Sequence, residues 1–145
     1  MARALIVFAS RIGTTQKIAE LIAEGVRSTG AETTVVPAAT IKGEAQLDGY
    51  DAYVFGSATY HGDMMQPMKT FLFLAEKAHL EGKVGGAFGA YGWSGEASVR
   101  VFETMKNVFN MNMVGQALRL KAATAGGGAE VAREYGRQIG EKLRQ

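Results

Sequence analysis

At 145 residues the chain is long enough for one domain with a proper core and too short for two, so residues 1–145 are expected to form a single domain. Hydrophobic residues make up 47% and charged residues 21%, with 19 glycines against 2 prolines, a balance that excludes a disordered chain and points to many tight turns. The net charge is +2 with acids and bases interspersed, so no basic stripe marks a nucleic-acid binder, and the lack of cysteine excludes disulfides, thiolate catalysis and thiolate-held iron–sulfur clusters.

Met1-Ala2-Arg3 leads straight into Ala4-Leu5-Ile6-Val7-Phe8-Ala9, too short for a signal-peptide core and without its cleavage pattern, and no run reaches the length of a membrane span. A cytoplasmic protein without a membrane partner is expected. Ala4 to Ala9, apolar throughout and closed by a polar loop, predicts a strand buried on both faces. After Ser10-Arg11-Ile12-Gly13, Thr14 or Thr15 is expected to cap a helix on which Ile18, Leu21, Ile22 and Val26 recur at helical spacing, and Ser28-Thr29-Gly30 stops it. Thr33 to Val36 predicts a second strand ended by Pro37, while residues 38–47 carry little pattern beyond that of a short helix. Asp48-Gly49 is a turn, and Tyr50 to Gly56 predicts a third strand. A helix from Pro67 to Ala75 has its proline in the first turn, and a glycine-rich fourth strand runs from Lys83 to Ala90. Glu96 to Val108 predicts a helix and Met113 to Leu120 a fifth strand. Gly126-Gly127-Gly128 introduces a last helix, Ala129 to Leu143, whose pattern Gly136 and Gly140 weaken.

Five strands alternating with helices predict an α/β three-layer sandwich around a five-stranded parallel sheet, in strand order 2-1-3-4-5. In such a sheet the loops that follow the strands gather on one edge. Three of them are Ser10-Arg11-Ile12-Gly13-Thr14-Thr15, Ser57-Ala58-Thr59-Tyr60-His61-Gly62 and Ala90-Tyr91-Gly92-Trp93-Ser94-Gly95. The first supplies hydroxyls ahead of a helix start, where backbone N–H groups and the helix dipole favour an anion. The other two supply aromatics. Together they suit a ligand with a phosphate at one end and a flat ring at the other. The loop lacks the three glycines of a dinucleotide fingerprint, and no acid ends the second strand to take a ribose, which favours a mononucleotide over NAD. A phosphoacceptor signalling domain shares the strand order but needs acids where this chain has Ala9-Ser10 and Gly56-Ser57.

The first loop resembles the phosphate loop of the flavodoxins, Ser/Thr-x-Thr-Gly-Asn/x-Thr, and the resemblance extends over essentially the whole chain. Gly89-Ala90-Tyr91-Gly92-Trp93-Ser94-Gly95-Glu96 is similar to short-chain clostridial flavodoxins, and more so to the flavodoxin domain of the A-type flavoproteins, which pair it with a diiron domain. Two positions depart from the pattern: Ile12 stands for a threonine and Thr14 for an asparagine. The fifth strand is expected to run on without a long insertion, as in short-chain members.

The resemblance implies an FMN-binding electron carrier that cycles through semiquinone and hydroquinone states, with the eighteen residues of the three loops holding the cofactor and none acting as a catalytic residue or metal ligand. Thr59 to Asp63 and Tyr91 to Gly95 would grip the isoalloxazine ring, with Trp93 as the main stacking residue and Tyr60 and Tyr91 next. Gly62 would let a peptide of the second loop flip toward the reduced ring. Redox partner proteins are implied, a reductase or ferredoxin-type donor and an oxidoreductase acceptor, and the chain itself is expected to be a monomer. Flavodoxins crowd their ring with acidic residues; here Asp63 and Glu96 would be the only acids close by, with Arg11 on the phosphate side. An alternative is an FMN-dependent oxidoreductase of quinone-reductase or protoporphyrinogen-oxidase type, although the chain has no spare residues for the inserted loops that wall a substrate pocket. His61 and His79 read as solvated. Met64, Met65 and Met68 read equally as core filling or as an adaptable docking surface.

Overall fold

The computed structural model describes residues 2–91, 95–121 and 127–145. β1 (Arg3–Ala9), β2 (Glu32–Pro37), β3 (Ala52–Ser57) and β6 (Val84–Ala90) are parallel and lie side by side in the order β2-β1-β3-β6. Beyond β6 come two short parallel segments, β7 (Asn112–Met113) and β8 (Leu118–Leu120), which pair with its two ends. With β7 and β8 counted together, the sheet has the expected order 2-1-3-4-5.

Side chains alternate across β1 because successive residues of a strand point to opposite faces. Leu5, Val7 and Ala9 enter one apolar core, closed by α2 (Gln66–Glu76) and α3 (Glu96–Glu103); Ala4, Ile6 and Phe8 enter the other, closed by α1 (Thr14–Arg27) and α4 (Gly128–Leu143). This burial on both faces explains why β1 reads as a continuous apolar run. Met68 is fully buried in the first core, so for this methionine core filling prevails over docking.

Several expectations are corrected. Neither Thr14 nor Thr15 caps α1: the cap position falls on Gly13, left-handed at φ 90°, with no side-chain cap hydrogen bond. Residues 38–47 form two single 3₁₀ turns, Ala38–Thr40 and Glu44–Leu47, in place of one helix. The segment 59–64, whose residues 59–62 were expected to belong to the loop after the third strand, is a two-residue hairpin of β4 (Thr59–Tyr60) and β5 (Asp63–Met64), with His61 at φ 52° and Gly62 at φ 73° in its turn. Positive φ at both turn residues matches the twist of a tight hairpin, and glycine adopts it without steric cost. The helix predicted over 96–108 is α-helical to Glu103 and continues as a wider π turn, Thr104–Val108, in which the Phe109 amide reaches back to the Thr104 carbonyl at 3.1 Å.

The fifth strand does not run on. Its break at 114–117 leaves the backbone of Ala87, at the middle of β6, without a strand partner on that side. The buried Tyr135 hydroxyl of α4 substitutes for the missing strand: it accepts from the Ala87 N–H at 2.9 Å and donates to the Ala87 carbonyl at 3.2 Å. Burial pushes the phenol up to about 12, against the opposing pull of its bond to Ala87. A Cβ on Gly86 would lie 2.9 Å from that hydroxyl, so a glycine beside it keeps the space open.

Candidate functional site

The carboxyl edge of the sheet carries a cleft of about 330 Å³ lined by Ser10, Arg11, Ile12, Thr14, Thr15, Ala58, Thr59, Ala90, Tyr91 and Lys121. All three expected loops meet there, nine of the eighteen proposed residues forming its wall. Gly92, Trp93 and Ser94 lie outside the described residues.

At one end is the start of α1. Ser10 organises the loop by accepting a hydrogen bond from the Gly13 N–H through Oγ at 2.9 Å. The next amides, on Thr14, Thr15 and Gln16, have no intrahelical acceptor, as in the first turn of any α-helix. Thr15 is fully buried, and among the described residues its Oγ1 has no hydrogen-bond partner. A buried hydroxyl left unpaired costs about 1–3 kcal/mol. An anion seated at this helix start would satisfy the hydroxyl and the free amides together, so the loop fits a phosphate-bearing cofactor. Ile12, 85% exposed, turns its side chain largely to solvent and supplies none of the hydroxyl chemistry of the threonine it replaces.

The second loop divides by role. Ser57 is buried, its Oγ donating to the Ala58 carbonyl at 2.8 Å and accepting from the Met65 N–H at 2.9 Å, so it braces the base of the hairpin and does not line the cleft. Thr59 Oγ1 accepts from the Ala97 N–H at 3.2 Å, which couples the second loop to the first turn of α3 and thereby to the third loop. Tyr60, at the hairpin tip, is flanked by the His61 ring at 4.3 Å and by the Arg11 guanidinium 4.7 Å from its centroid. The cation–π contact joins the first loop to the second across the cleft mouth. Gly62 occupies the hairpin turn and does not line the cleft, and Gly95 stands at the start of α3 against the Arg119 side chain.

Asp63, expected as one of two acids beside the ring, is paired with Lys69 at 2.7 Å and Arg100 at 3.7 Å. The hydrogen bond from Lys69 is the main reason its carboxyl stays below the usual range, helped by the Met64 amide and opposed by partial burial. Its charge is therefore largely offset by its neighbours. Lys121 is the cleft residue that sequence reasoning did not place. The signal was available: it follows directly on the last strand, whose end faces the same edge as the three loops.

The sequence matches the family model for flavodoxin over residues 6–136. It is 31% identical to a type A flavoprotein of Rhodobacter capsulatus over 96% of this chain and 33% of that protein, and 34% identical to an NAD(P)H dehydrogenase (quinone) of Archaeoglobus fulgidus over 61% of each. The chain thus spans about a third of the length of the type A flavoprotein it matches. Among solved structures, a flavodoxin from the domain Archaea superposes with a TM-score of 0.92 at 30% identity over 99% of both chains. The flavodiiron protein of Giardia intestinalis superposes at 0.90 with 24% identity over 98% of this chain and 36% of that one, a likeness of fold. The loop order, the open helix start and the match over nearly the whole sequence lead to one conclusion: the chain belongs to the flavodoxin family, whose members bind FMN and transfer electrons.

Proposed function

We propose that residues 1–145 work as a single electron-transfer unit of the cytoplasm that holds FMN in the cleft at the carboxyl edge of the sheet. The observation that carries the site is the buried, unpartnered Thr15 hydroxyl beneath the open start of α1. Thr14, Thr15, Ser10 and the first-turn amides would hold the phosphate, with Arg11 and Lys121 supplying positive charge to the cleft. Ala58, Thr59, Ala90 and Tyr91 would border the ring, and Trp93 and its neighbours in the third loop would complete the grip. FMN supplies the one-electron chemistry when bound; the protein's part is to bind it, shield one side and set its potentials. Ser57 and Thr59 serve by holding the second loop in place.

Adding FMN to apoprotein should quench the flavin fluorescence at one-to-one stoichiometry. Thr15→Val should weaken FMN binding while leaving riboflavin binding nearly unchanged, since only FMN carries a phosphate. Equal losses for the two ligands would remove the phosphate assignment. The likeness to a protein named as a quinone dehydrogenase supports a second reading, an FMN-dependent oxidoreductase. Rapid oxidation of NADH or NADPH with a quinone acceptor, by the purified protein alone, would favour it; slow turnover would leave the carrier.

A further inference from the structure

Arg11 lines the cleft, yet none of the ion pairs among the described residues involves it. Its guanidinium rests instead on the ring of Tyr60, 4.7 Å from the centroid. Tyr60 itself is absent from the cleft wall, to which the second loop contributes Ala58 and Thr59. A ring face that carries a guanidinium offers itself to no flat ligand. The stacking role that the resemblance implies for Tyr60 therefore has no support in the geometry, and its contact with Arg11 takes that role's place.

Both sides of this contact are braced. On the first loop, Ser10 Oγ accepts from the Gly13 N–H at 2.9 Å and closes the turn that contains Arg11. On the second, Ser57 Oγ holds the Met65 amide at 2.9 Å, Thr59 Oγ1 accepts from the Ala97 N–H at 3.2 Å, and Asp63 pairs with Lys69 at 2.7 Å, so the base and both strands of the hairpin are tied to their surroundings. The His61 ring packs edge-on against Tyr60, with the planes at 70°. Tyr60 is thus a fixed plate for a flexible cation, and at 44% exposure it is not a core residue that packing alone would require. Ordering a free arginine side chain on a ligand costs conformational entropy, and a guanidinium already laid on an aromatic face loses less when it meets an anion. Arg11 shares the cleft wall with Thr15, whose buried hydroxyl marks the anion end.

We propose that Tyr60 is a positioning residue for cofactor selection: it holds the Arg11 guanidinium at the cleft mouth for the phosphate bound at the start of α1, and it does not stack on the flavin ring. The proposal rests on the FMN reading of the cleft. The pair helps the cleft choose FMN over riboflavin although Tyr60 touches neither the phosphate nor the ring.

The test is a fluorescence titration of the full chain, freed of flavin, with FMN and with riboflavin. Tyr60→Leu should weaken FMN binding by about three- to fivefold and riboflavin binding by less than about twofold, the scale of one partly exposed cation–π contact. Tyr60→Phe, which keeps the ring face, should bind both ligands nearly as the parent does. Arg11→Ala should weaken FMN at least as much as Tyr60→Leu, and the double variant no more than Arg11→Ala alone, because Tyr60 then has nothing to position. Equal losses of FMN and riboflavin in Tyr60→Leu would show stacking and overturn the proposal. It is overturned as well by unchanged FMN binding in Tyr60→Leu, or by losses that multiply in the double variant. Riboflavin binding also reports an intact cleft in each variant. Failure of the FMN reading has a different signature, a parent protein that binds neither flavin.

Discussion

Tyr135 shows how much one hydroxyl can be asked to do. It satisfies both backbone groups of Ala87 where the sheet has no strand to offer, so Tyr135→Phe strands a buried N–H and a buried carbonyl. A loss of about 1–3 kcal/mol is expected in urea unfolding, and an unchanged midpoint would show that the bridge contributes nothing. The same phenol gives a pH signature. Because its folded value is raised, the neutral form favours the fold; this contribution is complete below about pH 10, where an unfolded tyrosine ionises, and is lost as pH climbs toward about 12. Asp63 behaves in the opposite sense. Its lowered carboxyl contributes above the ordinary carboxylate range and loses that contribution as pH falls through it. In a carboxyl NMR titration, Lys69→Met should raise the Asp63 midpoint toward the ordinary value; no movement would deny Lys69 its role.

Helices α1 and α4 cross at their backbones, and this explains glycines that look like defects in the pattern of α4. A Cβ on Gly136 would lie 2.0 Å from the Ile22 carbonyl oxygen, and one on Gly25 would lie 2.0 Å from that of Arg133. Helix propensity alone predicts that Gly136→Ala stabilises the protein by about 1 kcal/mol. The crossing predicts the reverse, a loss on the order of 1–3 kcal/mol or more as the helices are forced apart. The sign of the change in thermal unfolding therefore decides between the two. The hairpin 59–64 is another element whose form depends on its neighbours, since Ser57 Oγ holds its base and Thr59 ties it to α3.

The charge distribution over the whole molecule sets an expectation for its potentials. With Arg11 and Lys121 at the cleft and Asp63 offset by Lys69 and Arg100, adding negative charge to bound FMN meets less opposition than in a site crowded with acids. The second reduction potential should be less negative than in acidic flavodoxins, by about 59 mV for each tenfold change in relative affinity. Lys121→Gln should move it to more negative values. A spectroelectrochemical titration that finds it as low as in acidic members, and unmoved by Lys121→Gln, would refute the electrostatic argument.

Element order, strand order and the meeting of three loops at one edge were legible in the sequence because they follow from local periodicity, turn residues and the right-handed crossover rule. The loop residues Ser10, Thr14, Thr15, Ala58, Thr59, Ala90 and Tyr91 were legible for the same reason, since position after a strand fixes the edge on which a residue lies. Contacts between segments far apart in the chain were not. The pairing of Asp63 with Arg100, the placing of Arg11 over Tyr60, the withdrawal of Ser57 into a brace and the substitution of Tyr135 for a missing strand each depend on where two distant backbones come to rest. Local sequence sets φ, ψ and the face a side chain presents. Only the packed sheet and helices decide which charges offset one another and which hydroxyl, like that of Thr15, is left without a partner.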